Sequence, residues 1–479
     1  MHLQEERQKM MIGGQWVSRD DWIAVRNPQN DRVICHVPKA TKDDVLDAIE
    51  AAKHGQKEIA AMPIHERKTI LFRTADYIEK RHEAYAKTIA QEGSKTIREA
   101  RSETARCIET LRLSGEEAKR LHGETIRFDQ MPAGEQKIGY YDRFPVGIVA
   151  AITPFNDPLN LVAHKVGPAV AAGNATIVKP SSETPLSALF LAEAFFESGL
   201  PKKALSVITG SGAEIGDVLA QHSAIRMLSF TGGLATGEHL HRESGLKKIN
   251  MELGSNSPAI VLSDADLLHT VHQITSGAFS AAGQNCLGVQ RVYVEEEVYE
   301  TFCDAFVNKT KTIRFGDKLK ETTDMGPLIT EKEARRVEEW VTEAVEKGAT
   351  IAYGGKRDGA YYAPTILENV PRSSTLQKEE VFGPVVLLER VESLEEAIAK
   401  ANDVPFGLQA GVFTSSLDNG LRAAYELEAG GVMINDSSDF RIDAMPFGGI
   451  KGSGLGREGV KDAIEAMTEP KVVAFHVPK

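Results

Sequence analysis

From residue 147 onward, short apolar runs alternate with segments of helical spacing, and this alternation limits the possible folds more than any other feature. GIVAAIT precedes LNLVAHKVGPAVAAG, TIVKP precedes ETPLSALFLAEAFFESG, ALSVITG precedes AEIGDVLAQH, and MLSFTG precedes LATGEHLHRE. Such alternation is typical of parallel strands joined by crossover helices that cover both faces of the sheet. The sequence therefore predicts an α/β fold, in which ligands bind at the carboxyl ends of the strands.

A second α/β region is predicted from residue 257 to about residue 430. SPAIVL, RVYVEE and VVLLERV are its predicted strands, and residues 298–313, 331–347 and 393–402 are its predicted helices. A chain of 479 residues is too long for one compact core. Two or three domains are therefore expected.

The N-terminal part has a different pattern. After a short β-like start, residues 43–58 and 64–120 have helical spacing and are rich in Ala, Glu, Lys and Arg. Residues 123–147 then predict two strands around a Pro-Ala-Gly turn. This hairpin is either an arm for subunit contacts or an ordinary surface hairpin.

The composition excludes several classes of function. The net charge of −12, without a long basic run, argues against nucleic acid or an anionic membrane surface as a partner. The chain has no apolar segment of spanning length, and its first residues lack the apolar stretch of a secretory signal. Its four cysteines form no CxxC pair and no metal-ligand spacing. We therefore expect a cytoplasmic protein with free thiols and no metal.

GQNCLG, at residues 283–288, places Cys286 between an amide side chain and a leucine, with glycines on both sides. A structural cysteine usually lies among apolar neighbours. A nucleophilic cysteine needs open approach and nearby backbone N–H groups. The local sequence favours chemistry only modestly, and an inert cysteine in a glycine-rich turn remains the alternative.

Polar side chains follow several predicted strands. Asn156, in TPFNDP, is suited to stabilise an oxyanion, and the alternative is that it forms an Asx turn. Glu252, in KKINMELGSNSP, is a candidate general base, and the alternative is an exposed glutamate at a strand end. Lys179, in TIVKPSSETP, is suited to bind a ribose or phosphate oxygen, and the alternative is a solvated lysine at a strand end. In EEVFGPVV, Glu380 is suited to accept from a ribose hydroxyl, and Phe382 to wall a planar ring.

Two glycine-rich turns, GSGAEIG at residues 210–216 and TGGLATG at residues 231–237, follow neighbouring predicted strands and precede helices. Glycines in this position allow a phosphate to approach the N–H groups of a helix N-terminus. Each turn is also a common connection between a strand and a helix. Together they make a nucleotide site and an ordinary connection equally acceptable interpretations.

In this order the segments resemble one family, the aldehyde dehydrogenase superfamily. PFN, VKPSSETP, FTGG, MELGSNSP, GQNCLG, EEVFGPV and PFGGIKGSGLGREG carry the resemblance, which extends from about residue 10 to residue 475. The glutamate of MELG precedes the cysteine of GQNC by 34 residues, which is a specific spacing.

The resemblance implies a mechanism. Cys286 attacks the aldehyde to form a thiohemiacetal, Asn156 and the Cys286 N–H stabilise its oxyanion, and Glu252 activates water to hydrolyse the resulting thioester. The implied cofactor is NADP, NAD or both. The resemblance places Lys179 among both the catalytic residues and the cofactor-binding residues. Glu469 is implied as a proton-relay residue. The implied cofactor residues are Thr153, Pro154, Phe155, Lys179, Ser182, Gly212, Gly216, Phe230, Thr231, Gly232, Gly233, Leu253, Glu380 and Phe382.

The resemblance also implies a three-part architecture. Residues 1–122 and 143–253, with part of 434–462, are expected to form a cofactor-binding domain of parallel sheet. Residues 254–433 are expected to form the catalytic α/β domain. Residues 123–142 and 463–479 are expected to form a small β oligomerisation arm, and hence a homodimer or homotetramer.

Departures from the family pattern bear on specificity. Ser182 stands where NAD-preferring members often have a glutamate that would repel a 2′-phosphate, which predicts use of NADP. Gly233 stands where many members have a serine near the pyrophosphate. Asp157, Asn285, Leu287 and Arg441 fall at substrate-tunnel positions.

These tunnel positions bear on the substrate. Arg441 is suited to pair with a carboxylate, phosphate or sulfonate, or else forms a salt bridge to Asp439 or Asp443. A short polar hydroxyaldehyde or semialdehyde is favoured over a phosphorylated one, because Asn285 and not arginine precedes Cys286 and Asp157 adds negative charge.

Two rival functions remain. A CoA-acylating semialdehyde dehydrogenase would not need the general base, yet Glu252 is present. A non-catalytic binding protein on the same fold would be indicated by loss of Cys286 or Glu252, and both are retained.

Overall fold

Two largely parallel sheets, of eight and seven strands, form the frame of the molecule in the computed structural model, which describes residues 6–478. A three-stranded sheet and two two-stranded sheets accompany them. The predicted α/β fold is confirmed.

The regular elements follow one another along the chain. The strands are β1 Met10–Ile12, β2 Gln15–Val17, β3 Trp22–Asn27, β4 Arg32–Pro38, β5 Glu124–Ile126, β6 Lys137–Pro145, β7 Ile148–Ile152, β8 Ala175–Lys179, β9 Leu205–Val207, β10 Ile225–Thr231, β11 Lys248–Glu252, β12 Pro258–Val261, β13 Arg291–Glu295, β14 Thr350–Tyr353, β15 Arg357–Asp358, β16 Tyr361–Tyr362, β17 Thr365–Glu368, β18 Val385–Val391, β19 Gln409–Phe413, β20 Gly431–Ile434, β21 Gly454–Leu455 and β22 Thr468–His476. The α-helices are α1 Lys42–Ala61, α2 Ile64–Glu79, α3 His82–Glu92, α4 Ile97–Glu117, α5 Asn160–Ala172, α6 Leu186–Glu197, α7 Gly212–Gln221, α8 Leu234–Glu243, α9 Leu267–Phe279, α10 Tyr299–Thr310, α11 Glu331–Glu346, α12 Thr375–Lys378, α13 Leu394–Asn402, α14 Leu417–Glu426 and α15 Val460–Ala466.

The eight-stranded sheet has the order β2-β1-β9-β8-β7-β10-β11-β21. Its five central strands are parallel, and short antiparallel strands close both edges. Alternate residues of a strand point to opposite faces. In β7, Val149 and Ala151 pack in the core with α2 to α6, whereas Ile148, Ala150 and Ile152 pack in the core with α1, α7 and α8. Helices therefore cover both faces, as the apolar runs predict.

The seven-stranded sheet has the order β14-β17-β18-β13-β12-β19-β20 and is parallel except at β14. Apolar side chains of α9, α10 and α11 form the core on one face, and those of α13 and α14 form the core on the other. The three predicted strands are β12, β13 and β18, and the three predicted helices are α10, α11 and α13.

The predicted hairpin is present as β5 and β6, with single 3-10 turns at Phe128–Gln130 and Pro132–Gly134 between the strands. β22 joins β6 in nine-residue antiparallel register, from Thr468 opposite Pro145 to His476 opposite Lys137. Ile138 and Phe475 are more than half exposed on this arm. Its predicted role in oligomerisation stays a prediction.

The helical pattern of residues 64–120 corresponds to three helices and not to one continuous stretch. α3 ends at Gly93, and α4 begins with a capping box in which Thr96 and Glu99 exchange side-chain and backbone hydrogen bonds. Apolar spacing continues across the breaks, so periodicity alone does not reveal them. None of the helices among the described residues combines the length and apolar character that a membrane span requires.

Candidate active site

The carboxyl ends of β7, β10 and β11 face the loop before β13 and the segment before β18 across a cavity of about 470 Å³. Strand ends of a parallel sheet meet at one edge, which is why residues distant in sequence converge here. The lining residues are Arg106, Pro154, Phe155, Asn156, Asp157, Asn160, Leu161, Thr231, Gly232, Gly233, Glu252, Leu253, Gly254, Asn285, Cys286, Leu287, Glu380, Phe382, Asp439 and Arg441.

Cys286 lies in the cavity wall on the tight turn that follows α9. Ala281 and Ala282 have φ of 50° and 56°, and Gly283 has φ of 69°. A Cβ at Gly283 would lie 2.2 Å from the Gly383 carbonyl oxygen, so this position requires glycine. Cys286 is half-buried, whereas Cys35, Cys107 and Cys303 are buried, and all four are free. Its position favours the reactive interpretation over the structural one.

The electrostatics of the cavity favour the thiol form of Cys286 over the thiolate. Burial raises the pKa of its thiol, and the nearby Glu380 carboxylate raises it further, while the Arg441 guanidinium opposes this. The Sγ atom lies 3.9 Å from Asn285 Oδ1, which also accepts a hydrogen bond from the Leu287 N–H at 3.1 Å. A thiol in this environment needs a base to become a nucleophile.

Glu252, the last residue of β11, projects a base into the same cavity. Both of its carboxylate oxygens are buried and accept no hydrogen bond from residues 6–478. Burial, and then the Glu458 carboxylate, raise the pKa of Glu252 well above its ordinary value, against the attraction of Arg441 and Lys165. A buried, unpaired carboxylate with a raised pKa is suited to take a proton.

Asn156 follows β7 and faces the cavity with the Thr153–Pro154–Phe155 segment. Its Oδ1 atom is buried and has no hydrogen-bond partner in the described chain. The ring of Phe155 meets that of Phe382 edge to face, with centroids 5.7 Å apart. Phe382 has φ of 44°, a conformation that costs energy for a side chain of this size.

A second group of predicted residues lies at the neighbouring strand ends. Lys179 ends β8, is 6% exposed and donates to the Pro180 carbonyl oxygen at 3.0 Å. Burial lowers the pKa of Lys179 to about 8. Ser182 Oγ donates to the Gly210 carbonyl oxygen at 2.9 Å, and a Cβ at Gly212 would lie 3.8 Å from Lys179 Nζ.

The remaining residues that were predicted to bind the cofactor differ in their packing. Phe230 is buried beneath Gly232, where a Cβ would lie 2.6 Å from the Phe230 ring, so Phe230 supports the turn from inside the core. A Cβ at Gly216 or Gly233 would meet open space, so close packing does not explain these two glycines. Leu253 packs beneath α8, where a Cβ at Gly237 would lie 2.5 Å from it.

These strand ends fit a dinucleotide. The Oγ1 atoms of Thr153 and Thr231 are buried without a hydrogen-bond partner in residues 6–478, at the edge where a pyrophosphate or ribose would lie. Glu380 adds a carboxyl group, whose Oε1 accepts from the Ser255 N–H at 2.9 Å and whose pKa burial raises to about 7. Unpaired donors and acceptors at the carboxyl edge indicate a polar ligand.

Two arginines and two aspartates lie at the other side of Cys286. Arg441 stacks on the Phe447 ring at 3.8 Å, and its Nη2 lies 3.5 Å from Glu458 Oε2. The alternative in which Arg441 pairs with Asp439 or Asp443 is therefore wrong. Its Nε and Nη2 atoms are buried and donate no hydrogen bond within residues 6–478.

Arg106 was not predicted from the sequence. It comes from the middle of α4 and donates to Asp443 through Nη2 at 2.8 Å and Nε at 3.4 Å. Asp157 is held by Lys95, which also pairs with Glu103 at 2.8 Å. Arg106 is not part of a recognisable local motif. Its place in the cavity depends on its contact with Asp443, which is distant in the sequence.

The prediction that Glu469 supports proton relay is not supported. Glu469 lies on β22, more than half exposed, 3.2 Å from Lys248, and does not line the cavity. Glu458 is the buried glutamate next to Glu252. Burial would raise the pKa of Glu458, but the Lys165 ammonium, 2.8 Å from Oε1, lowers it to about 2.

Comparison with known proteins agrees with this geometry. Residues 16–473 match the model of the aldehyde dehydrogenase family. The chain belongs to this family. It is an NAD(P)-dependent aldehyde dehydrogenase. The described residues contain no group of His, Cys, Asp and Glu side chains arranged to hold a metal ion.

Similar aldehyde dehydrogenases act on several named aldehydes. The chain is 48% identical to aspartate-semialdehyde dehydrogenase 1 of Pseudomonas canavaninivorans, over 95% of this chain and 97% of the relative. It is 45% identical to 3-sulfolactaldehyde dehydrogenase of Priestia megaterium, over 98% of each chain. The glyceraldehyde-3-phosphate dehydrogenase of Methanocaldococcus jannaschii, solved with NADP, superimposes with a TM-score of 0.92 at 40% identity, over 96% of this chain and 100% of that chain.

Proposed function

We propose that this aldehyde dehydrogenase oxidises a short aldehyde carrying a second, anionic group, a semialdehyde or an anionic hydroxyaldehyde, to the carboxylic acid. The observation that carries the proposal is the position of Arg441. Its buried, unpaired nitrogens line the same cavity as Cys286 and Glu252. Buried guanidinium N–H groups without a hydrogen-bond acceptor are costly, and a carboxylate, sulfonate or phosphate satisfies them.

The first step forms a bond between Cys286 Sγ and the aldehyde carbon. Glu252 takes the thiol proton, because its raised pKa makes its carboxylate a better base than an exposed one. The carbonyl oxygen gains negative charge, and the Asn156 side-chain amide and the Cys286 N–H stabilise it.

The second step removes a hydride from the former carbonyl carbon and leaves a thioester on Cys286. NAD(P)+, when bound, supplies the acceptor for that hydride. The carboxyl-edge residues Lys179, Ser182, Thr231 and Glu380 would hold it. Glu252 then releases the thiol proton to solvent and becomes a carboxylate again. Hydrolysis follows when Glu252 takes a proton from water, the water oxygen attacks the thioester carbon, and the C–S bond breaks to restore the thiolate.

The substrate's second charged group would lie toward Arg441 and Arg106. Arg106 is already paired with Asp443, so Arg441 supplies the donors that are free. Asp157 and Asp439 line the same region and can accept hydrogen bonds from a substrate hydroxyl. The named aldehydes of the three similar dehydrogenases each carry an anionic group, which supports this assignment.

The test is absorbance of reduced nicotinamide with a panel of aldehydes and both cofactors. Succinate semialdehyde, lactaldehyde, glyceraldehyde 3-phosphate and phosphonoacetaldehyde are compared with hexanal and benzaldehyde, with Cys286→Ala as the control. Turnover that favours an anionic aldehyde and is lost in Cys286→Ala supports the proposal. Equal preference for hexanal contradicts the substrate class. A requirement for coenzyme A would instead favour the acylating reaction.

A further inference from the structure

A lysine outside the cavity lies close to the strand ends assigned to the adenosine part of the cofactor. Lys39 follows β4, and the next residue, Ala40, donates its N–H to the Thr209 carbonyl oxygen at 2.9 Å. A Cβ at Gly210 would lie 3.4 Å from Ala40 N, and Gly210 accepts the hydrogen bond from Ser182. Ala40, the neighbour of Lys39, therefore packs against Gly210, whose carbonyl oxygen accepts the Ser182 hydrogen bond.

Lys39 is held by a glutamate from the first turn of α7. Its Nζ lies 3.0 Å from Glu214 Oε2, and the two side chains are 41% and 35% exposed. A carboxylate in the first turn of a helix is stabilised by the helix dipole, so Glu214 is a favourable partner in the absence of another anion. The pair is accessible and can be exchanged.

We propose that Lys39 binds the 2′-phosphate of NADP and that Glu214 competes with this phosphate for it, so that the pair sets the preference between NADP and NAD. The inference rests on the proposed function, in which Lys179 and Ser182 help to hold NAD(P)+, and it places the adenosine ribose beside these two residues. Ser182 removes a repulsive carboxylate from this position but adds no positive charge. A dianionic phosphate still needs a cation.

The local charges show why Lys179 alone is insufficient. Burial lowers the pKa of Lys179 to about 8, so part of its charge is lost in mildly alkaline solution. Glu183 adjoins Ser182, and Asp21 accepts the Lys39 N–H through its carbonyl oxygen at 2.9 Å. With Lys39 neutralised by Glu214, the carboxylates of Glu183 and Asp21 oppose the entry of a phosphate.

A phosphate competes well for Lys39. The lysine stem is flexible and carries three donors, and a dianion attracts an ammonium more strongly than a single carboxylate does. Because the pair is partly exposed, its contribution falls as salt screens it. The preference for NADP over NAD should therefore decrease with ionic strength.

Calorimetric binding without aldehyde tests the inference. NADP+, NAD+, 2′,5′-ADP and 5′-AMP are titrated into the wild type, Lys39→Gln and Glu214→Gln. Lys53→Gln is the matched control, because Lys53 forms a comparable exposed pair with Glu50 about 17 Å further along α1. We expect Lys39→Gln to weaken NADP+ and 2′,5′-ADP about tenfold and to change NAD+ and 5′-AMP less than about twofold. Glu214→Gln should strengthen NADP+ selectively, and Lys53→Gln should change neither.

Three results would overturn the inference. If Lys39→Gln weakened the binding of NADP+ and NAD+ equally, Lys39 would be a structural residue of its loop and not a ligand of the 2′-phosphate. Unchanged binding of 2′,5′-ADP in that variant would place the phosphate elsewhere. Unchanged or weaker NADP+ binding in Glu214→Gln would show that Glu214 does not compete with the 2′-phosphate for Lys39. If the wild type binds none of the four ligands, the proposed cofactor site itself is wrong, which is a separate outcome.

Discussion

Arg441 Nη2 lies 3.5 Å from Glu458 Oε2, yet it donates no hydrogen bond to any residue of the described chain. Glu458 is already neutralised by Lys165 at 2.8 Å. The Nε and Nη2 atoms of the guanidinium therefore retain donors for a ligand in the cavity that Arg441 and Cys286 both line. This arrangement is the basis of the proposed preference for an anionic aldehyde.

Replacement of this guanidinium should separate anionic from neutral aldehydes. Arg441→Met keeps an unbranched apolar side chain in the cavity wall but removes the charge and the N–H donors. A charge-assisted hydrogen bond contributes about 1.5–3 kcal/mol, so kcat/KM for succinate semialdehyde should fall about 10- to 100-fold. Propanal should be affected much less. Arg422→Met, at an exposed pair on α14, is the control. Equal losses for both aldehydes would exclude Arg441 as the anion ligand.

Replacement of Glu252, the proposed base, should allow a first turnover but block the following ones. In Glu252→Gln the thioester can form slowly but is not hydrolysed, so steady-state turnover should fall about 100-fold or more. Stopped-flow absorbance should still show up to one equivalent of reduced cofactor per site. Glu469→Gln is the matched control, since Glu469 is exposed on β22 and should leave the rate unchanged. A Glu252→Gln enzyme that turns over normally would eliminate the base assignment.

The dependence of the rate on pH follows from two raised pKa values. Glu252 acts as a carboxylate and Cys286 as a thiolate, and burial raises the pKa of both. The active forms therefore increase as pH rises, and kcat should increase from acid to alkaline pH. Initial rates as a function of pH, with both substrates saturating, provide the measurement. A rate that is highest in acid would conflict with both assignments.

The turn that presents Cys286 should not tolerate a side chain at Gly283. Gly283→Ala places a Cβ 2.2 Å from the Gly383 carbonyl oxygen at φ of 69°, so the loop must move. We expect loss of most activity and destabilisation of about 1–3 kcal/mol, measured by thermal denaturation. Gly216→Ala is the contrast, because a Cβ there meets open space within α7. That variant should be as stable as the wild type or slightly more stable.

Residues at strand ends were predictable because topology brings them together. Glu252 and Lys179 each end an apolar strand, and the carboxyl ends of parallel strands share one edge. The breaks within residues 64–120 were not predictable, because apolar spacing persists through them. Arg106 lies in the middle of α4, and its partner Asp443 is 337 residues away. No local pattern encodes such a pair.

The two C-terminal glutamates show a further limit of sequence reasoning. Glu458 and Glu469 are 11 residues apart and chemically identical. One is buried beside Lys165, and the other is exposed beside Lys248. Only the packing of α15 against α5 and the pairing of β22 with β6 separate them. The sequence pattern therefore could not show that Glu458, and not Glu469, is the glutamate buried next to Glu252.

The most direct test of the account is the covalent state of Cys286 after one turnover. Glu252→Gln is mixed with NADP+ and succinate semialdehyde, quenched in acid, digested and analysed by mass spectrometry. The account predicts one acyl adduct, on the peptide that contains Cys286, in proportion to the reduced cofactor formed. Reduced cofactor without an adduct there, or with the adduct on Cys35, Cys107 or Cys303, would contradict it.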